Sequence, residues 1–116
     1  MKPTQSELAI LDVLWRQGPC TVRQVHEVVG GGYTTTLKLM QIMVEKGLVV
    51  RDEQERAHVY SPRLEKEETQ GVMVRDLIDR AFGGSAAQLV MRALSAGQAS
   101  DEELAAIRQM LKEYKR

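Results

Sequence analysis

The chain has 116 residues, 43% of them apolar and 28% charged, with sixteen Lys and Arg against sixteen Asp and Glu. That length holds one ordinary domain, or two half-size pieces that lean on each other or on a second copy, and excludes a large enzyme. The composition excludes disordered, collagen-like and fibrous classes, and the neutral charge lacks the basic excess that many nucleic-acid binders carry.

No apolar run approaches the about 20 residues that a membrane span needs. The start, Met1-Lys2-Pro3-Thr4, lacks the apolar stretch of a signal peptide, so a cytoplasmic protein without membrane insertion is expected. Cys20 is the single cysteine and cannot form an internal disulfide; a small buried or turn residue is expected there.

Thr4-Gln5-Ser6-Glu7 has the form of a capping box, in which hydroxyl and carboxylate satisfy reciprocal amides at a helix start. Leu8, Leu11 and Trp15 follow at helical spacing beside Leu14, with Glu7, Asp12 and Arg16 pointing away, until Gly18-Pro19. A second box, Thr21 to Gln24, opens a shorter helix with Val22, Val25 and Val29 as its apolar stripe. Gly30-Gly31-Gly32 ends it. The spacing predicts a third helix from Thr34 to Lys46, with Gly47 at its C-terminal cap.

The period then becomes extended. Leu48 to Arg51 and Ala57 to Tyr60 read as the strands of a hairpin around a polar turn, Asp52 to Arg56. Three helices and a hairpin, in that order, predict a winged helix-turn-helix domain over residues 1–62. The boundary is placed at Ser61-Pro62 because proline disfavours helix in the residue before it.

Residues 63–116 read as helical. Glu65 to Phe82 is followed by Gly83-Gly84, a helix opened by Ser85 to Gln88 and closed at Gly97, and a last helix opened by Ser100 to Glu103. A tail of this size is near the limit for burying enough surface alone. A second copy is the expected partner, with Val72, Leu77 and Ile78 of its first helix and Leu104, Ile107 and Leu111 of its last forming the dimer interface. The fold class is therefore mainly α with a small β-hairpin, a winged helix-turn-helix followed by a helical dimerisation tail.

The third helix is the candidate recognition helix. At about 100° per residue, Thr36, Met40, Met43 and Val44 fall on a core side. Thr34, Thr35, Lys38, Gln41, Ile42 and Glu45 fall on the other. Hydroxyls near a helix N-terminus suit phosphate oxygens, Lys and Gln donate to base edges, and an exposed Ile42 suits a thymine methyl. The same pattern also fits a plain solvated face. At the turn, Arg51 and Arg56 are candidate phosphate ligands and Arg56 is the better one, although Asp52, Glu53 and Glu55 between them would repel the same phosphates, and a merely solvated turn is the alternative.

Other chemistries lack their residues. The triple glycine is not followed by the lysine and hydroxyl residue of a phosphate-binding loop. His26 shares the stripe of Val22 and Val29 and reads as a core-edge residue, and His58 has no Cys or second His nearby to complete a metal set. Neither histidine belongs to a recognisable hydrolase triad. Cofactors, metals and catalysis are therefore not expected.

Leu14-Trp15, Tyr33-Thr34-Thr35-Thr36, Glu45-Lys46-Gly47-Leu48 and Arg56-Ala57-His58-Val59-Tyr60-Ser61-Pro62 together resemble the BlaI/MecI/CopY family, the penicillinase repressors. Phe82-Gly83-Gly84-Ser85 and the helix opened by Ser100-Asp101-Glu102-Glu103 are similar to that family's dimerisation region. The resemblance implies a homodimeric repressor on palindromic double-stranded operator DNA, released by a signal. In many members that signal arrives through a membrane sensor metalloprotease that leads to cleavage of the tail. Three departures stand out: Lys38 where many members have threonine, Ile42 where many have arginine, and Arg92-Ala93 at the cleavage region, where cut relatives have Asn-Phe. The end, Lys112-Glu113-Tyr114-Lys115-Arg116, carries none of the cysteines of the copper-responsive branch, so copper sensing by that route is not expected. A rival from another class, suited to the neutral charge and acidic turn, is a winged-helix adaptor that binds protein.

Overall fold

A computed structural model describes residues 2–54 and 56–114. The elements run α1 (Gln5–Gln17), α2 (Val22–Val29), α3 (Tyr33–Lys46), β1 (Val49–Asp52), β2 (Val59–Pro62), α4 (Lys66–Ala81), α5 (Ala86–Ser95) and α6 (Asp101–Glu113). The contacts separate one compact unit ending at Val74 from a second beginning at Arg75.

The first unit is a winged helix. Ile10, Leu11, Val13 and Leu14 of α1, Val22 and Val25 of α2, Met40 and Met43 of α3, Val49 of β1 and Tyr60 of β2 close a single core. Capping boxes start α1 and α2 as the local sequence predicts: Thr4 and Thr21 accept from the third helical amide, and Glu7 and Gln24 return to the cap backbone. Gly47 ends α3 with φ 77°, ψ 20°, a left-handed conformation that glycine takes without steric cost.

Four expectations are corrected. Glu7 does not point away from the core: it is 2% exposed and paired with Lys46 at the end of α3. Val29 is exposed, because only the Val22 and Val25 face of the one short helix α2 is covered. The strands lie one and two residues later than expected, with Val49 paired to Pro62, Val50 to Ser61, Arg51 to Tyr60 and Asp52 to Val59. The shift is held from outside the hairpin, since Cys20 and Tyr60 form an antiparallel bridge with N to O distances of 3.1 and 2.8 Å. Pro62 is tolerated there because each strand of a two-stranded sheet is an edge strand, with no further neighbour to require its missing N–H.

The chain after β2 stays with the first unit. The Trp15 indole Nε1 donates to the Leu64 carbonyl at 3.0 Å, and Thr69 of α4 is buried. In the second unit, α5 and α6 contain no buried residue. Ser100 and Glu103 form a full capping box on α6, whereas at α5 only the Ser85 half forms, its hydroxyl accepting from the Gln88 amide.

Candidate nucleic-acid interface

The position of α3 is fixed on its inner side and at its end. Thr36, Met40 and Met43 are buried, with Leu37, Leu39 and Val44 packed partly against the same core. The Lys46 Nζ lies 2.8 and 2.9 Å from the two Glu7 carboxylate oxygens. Burial disfavours the Glu7 carboxylate and works to raise its pKa, but hydrogen bonds from Lys46 and Thr4 and the Lys46 charge outweigh it. The net position is below the ordinary value.

On the outer side Thr34, Thr35, Lys38, Gln41 and Glu45 are exposed together. Ile42, expected in solvent, is instead half-buried: it precedes Met43 and follows Leu39 by three residues, which puts it on the shoulder of the core stripe. At the start of α3, Gly32 gives no side-chain cap. The loop before it is held by His26, whose Nε2 stands 2.8 Å from the Gly31 carbonyl. A carbonyl only accepts, so that nitrogen carries the proton. The His26 ring also meets Tyr33 edge to face, centroids 5.6 Å apart.

The hairpin turn places Arg56 in solvent. Two of the three carboxylates expected to oppose it are engaged elsewhere. Asp52 Oδ1 accepts from the Gln54 amide at 2.9 Å, and Glu53 Oε1 lies 3.0 Å from Arg51 Nη2 and 4.0 Å from His58 Nε2. The third, Glu55, lies outside the described residues. Sequence periodicity could not reveal the Arg51 and Glu53 pairing, because the two are neighbours only once the turn has formed.

Between α2, the start of α3 and the hairpin lies a cleft of about 740 Å³ whose wall includes Arg23, Glu27, Tyr33 and Arg56. Of these, sequence reasoning had singled out only Arg56 as a ligand. Its neighbours come from α2 and the first residue of α3, far from it in the chain, and share no motif with it.

In the tail, Val72 is half-buried in the first unit. In the second, Ile78, Leu104 and Ile107 are half-buried, while Leu77 is 46% and Leu111 70% exposed. Arg92 and Ala93 are exposed on α5. Among the described residues no group of three or more His, Cys, Asp or Glu could hold a metal ion, and no helix is long and apolar enough to cross a membrane.

Comparison with known proteins places this geometry. The penicillinase repressor family profile matches residues 3–113. The chain is 39% identical over 85 residues to the transcriptional regulator BlaI of Mycobacterium tuberculosis, covering 68% of this chain and 62% of that protein, so the match spans less than two thirds of that relative. It is 24% identical over 116 residues to the penicillinase repressor of Bacillus licheniformis, covering 97% and 91%. Among solved structures, apo-NmtR in solution is 30% identical, covers 69% of this chain and 60% of that one, and superposes with a TM-score of 0.46. A probable transcriptional regulator from Pseudomonas aeruginosa is 20% identical, with coverage of 96% and 77% and a TM-score of 0.49. A family match over nearly the whole chain, on a winged helix with a helical tail, leads to one conclusion: the chain belongs to the penicillinase repressor family.

Proposed function

We propose that this chain is a homodimeric transcriptional repressor that binds palindromic operator DNA in the cytoplasm, and that it is not an enzyme. The observation that carries the reading is α3. Its inner face is locked into the core while Thr34, Thr35, Lys38 and Gln41 stand together in solvent, beside a hairpin that offers Arg56. A helix so presented enters a major groove with Lys38 and Gln41 toward base edges, Thr34 and Thr35 toward phosphates and Arg56 on the backbone, while half-buried Ile42 offers at most its outer edge to a thymine methyl.

Dimerisation is supported by α5 and α6, which bury no residue within one chain. Leu77, Ile78, Leu104, Ile107 and Leu111 are the apolar side chains we assign to that contact, with Val72 at its margin. Release by a membrane sensor metalloprotease would act on the tail near Arg92 and Ala93. These lie within α5, so local unwinding must precede any cut. The rival reading, a protein-binding adaptor, drew on the neutral charge and the acidic turn, and the second of these weakens because Glu53 is paired with Arg51.

The test is a gel shift of the full chain on DNA from upstream of its own gene at two salt concentrations, with Lys38→Ala and Arg56→Ala beside the parent. Binding by the parent that weakens steeply with salt, and more weakly still in both variants at unchanged melting temperature, is expected. Parent protein that ignores DNA would overturn the reading.

A further inference from the structure

We infer that the cleft between α2, α3 and the hairpin seats the operator's sugar-phosphate backbone, and that Arg23 of α2 is a phosphate anchor working opposite Arg56. The inference rests on the DNA-binding reading and extends it to an element outside the recognition helix and the turn.

Three observations meet here. First, Arg23 and Arg56 lie on the walls of one cleft, although they are distant in sequence and belong to different elements. Both are exposed, and neither makes an ion pair among the described residues. Arg23 and Glu27 even have the i,i+4 spacing that favours pairing on a helix, yet no bridge joins them. The guanidinium is therefore available to a ligand, and its forked donors match phosphate oxygens.

Second, the space is shaped for a strand. At about 740 Å³ it exceeds the needs of a single anion, and its lining includes apolar side chains, among them Val22, Leu37 and the buried Tyr60. Tyr33, 48% exposed, lines it too. A deoxyribose against those apolar side chains, flanked by phosphates that meet cations, satisfies both kinds of lining residue.

Third, the cleft is continuous with the face assigned to base contact. Tyr33 lines it and is the first residue of α3, and Thr34 and Thr35 follow on the exposed side. A duplex whose major groove receives α3 brings its backbone past that end of the helix. The His26 contacts to Gly31 and Tyr33 hold the wall in place, which makes His26 a positioning residue.

Phosphate contacts carry affinity and salt dependence without sequence information. Arg23→Ala in the full chain should therefore weaken binding to the operator and to unrelated duplex by the same factor. With one Arg23 per half-site, the slope of log affinity on log salt should fall by about 1.8. Between about 50 and about 200 mM salt the parent should then lose about twelve-fold more affinity than the variant. Arg23→Lys should restore most of the slope, which a purely structural role would not predict. Glu27→Gln, which removes the carboxylate from the same wall, should tighten binding on both DNAs. Melting curves on each variant separate contact from folding. An Arg23→Ala protein that keeps the parent's slope, or loses affinity on the operator alone, overturns the inference while leaving the repressor reading intact. Parent protein that binds no DNA removes both.

Discussion

Glu7 and Lys46 stand 39 residues apart in the chain and join the first turn of α1 to the last turn of α3, with both carboxylate oxygens within 2.9 Å of the ammonium. The carboxylate side chain is 2% exposed and the lysine 26%. The two partners therefore fail differently. Lys46→Met strands a charge in the core and should cost about 3–5 kcal/mol. Glu7→Gln should cost less, since an amide oxygen can still accept from Thr4 and the ammonium still reaches water. The Glu7 pKa is lower in the folded chain than its ordinary 4.5, so the unfolded chain binds more protons in this range. The stabilisation is whole above the ordinary value and is lost as pH falls through the lowered folded one. Urea melts over a series of acid pH values should show that limb in the parent and a flatter one in Glu7→Gln.

Tyr60 and Trp15 should separate in size of effect. Tyr60 is 1% exposed, and Tyr60→Ala should cost about 3–5 kcal/mol, a large share of a small domain's stability. Trp15, on the apolar stripe with Leu8 and Leu11, is half-buried and bound to the Leu64 carbonyl. Trp15→Phe should cost about 1 kcal/mol for the lost hydrogen bond. Thermal melts with fits at a common temperature decide it; equal shifts would contradict the difference in burial.

Cys20 should be silent toward thiol reagents in the folded chain. Burial pushes its thiol up from the ordinary value, and the thiolate is the reactive form. Labelling with a chromogenic disulfide is expected to proceed at the rate of unfolding. Rapid labelling without denaturant would show that the thiol is reachable in the native state.

A chain ending at Phe82 keeps Thr69 and the Trp15 contact but loses α5 and α6. We expect it to melt as a winged helix, to scatter light as a monomer, and to bind a palindromic operator far more weakly, because the effective concentration of the second reading head is lost. A truncated chain that stays dimeric would relocate the interface to α4 or the winged unit.

The sequence revealed most where structure is decided locally. Thr4 with Glu7, Thr21 with Gln24 and Ser100 with Glu103 are boxes closed within one turn, and each formed. It failed where a residue answers to a distant one. Glu7 reads as a surface cap until Lys46 is brought to it, and the hairpin's offset depends on Cys20, which no alternation in β2 foreshadows. The candidate site divides the same way. Helical spacing separated Thr34, Thr35, Lys38 and Gln41 from Thr36, Met40 and Met43, but Ile42 sits at the border of those faces, where an angle alone cannot assign it. Arg23 could not be found from α2 by itself, since its significance comes from the walls opposite.

The bridge between Cys20 and Tyr60 also gives the hairpin a built-in clock. Each residue's amide is held by the other's carbonyl, and both protons are protected only while the hairpin stays against the turn that joins α1 to α2. In deuterated water the two amides should exchange together, at one rate. If that rate exceeds exchange in the α1 core around Leu11 and Leu14, the hairpin swings away from an intact three-helix body. If the rates coincide, it leaves only when the whole unit comes apart.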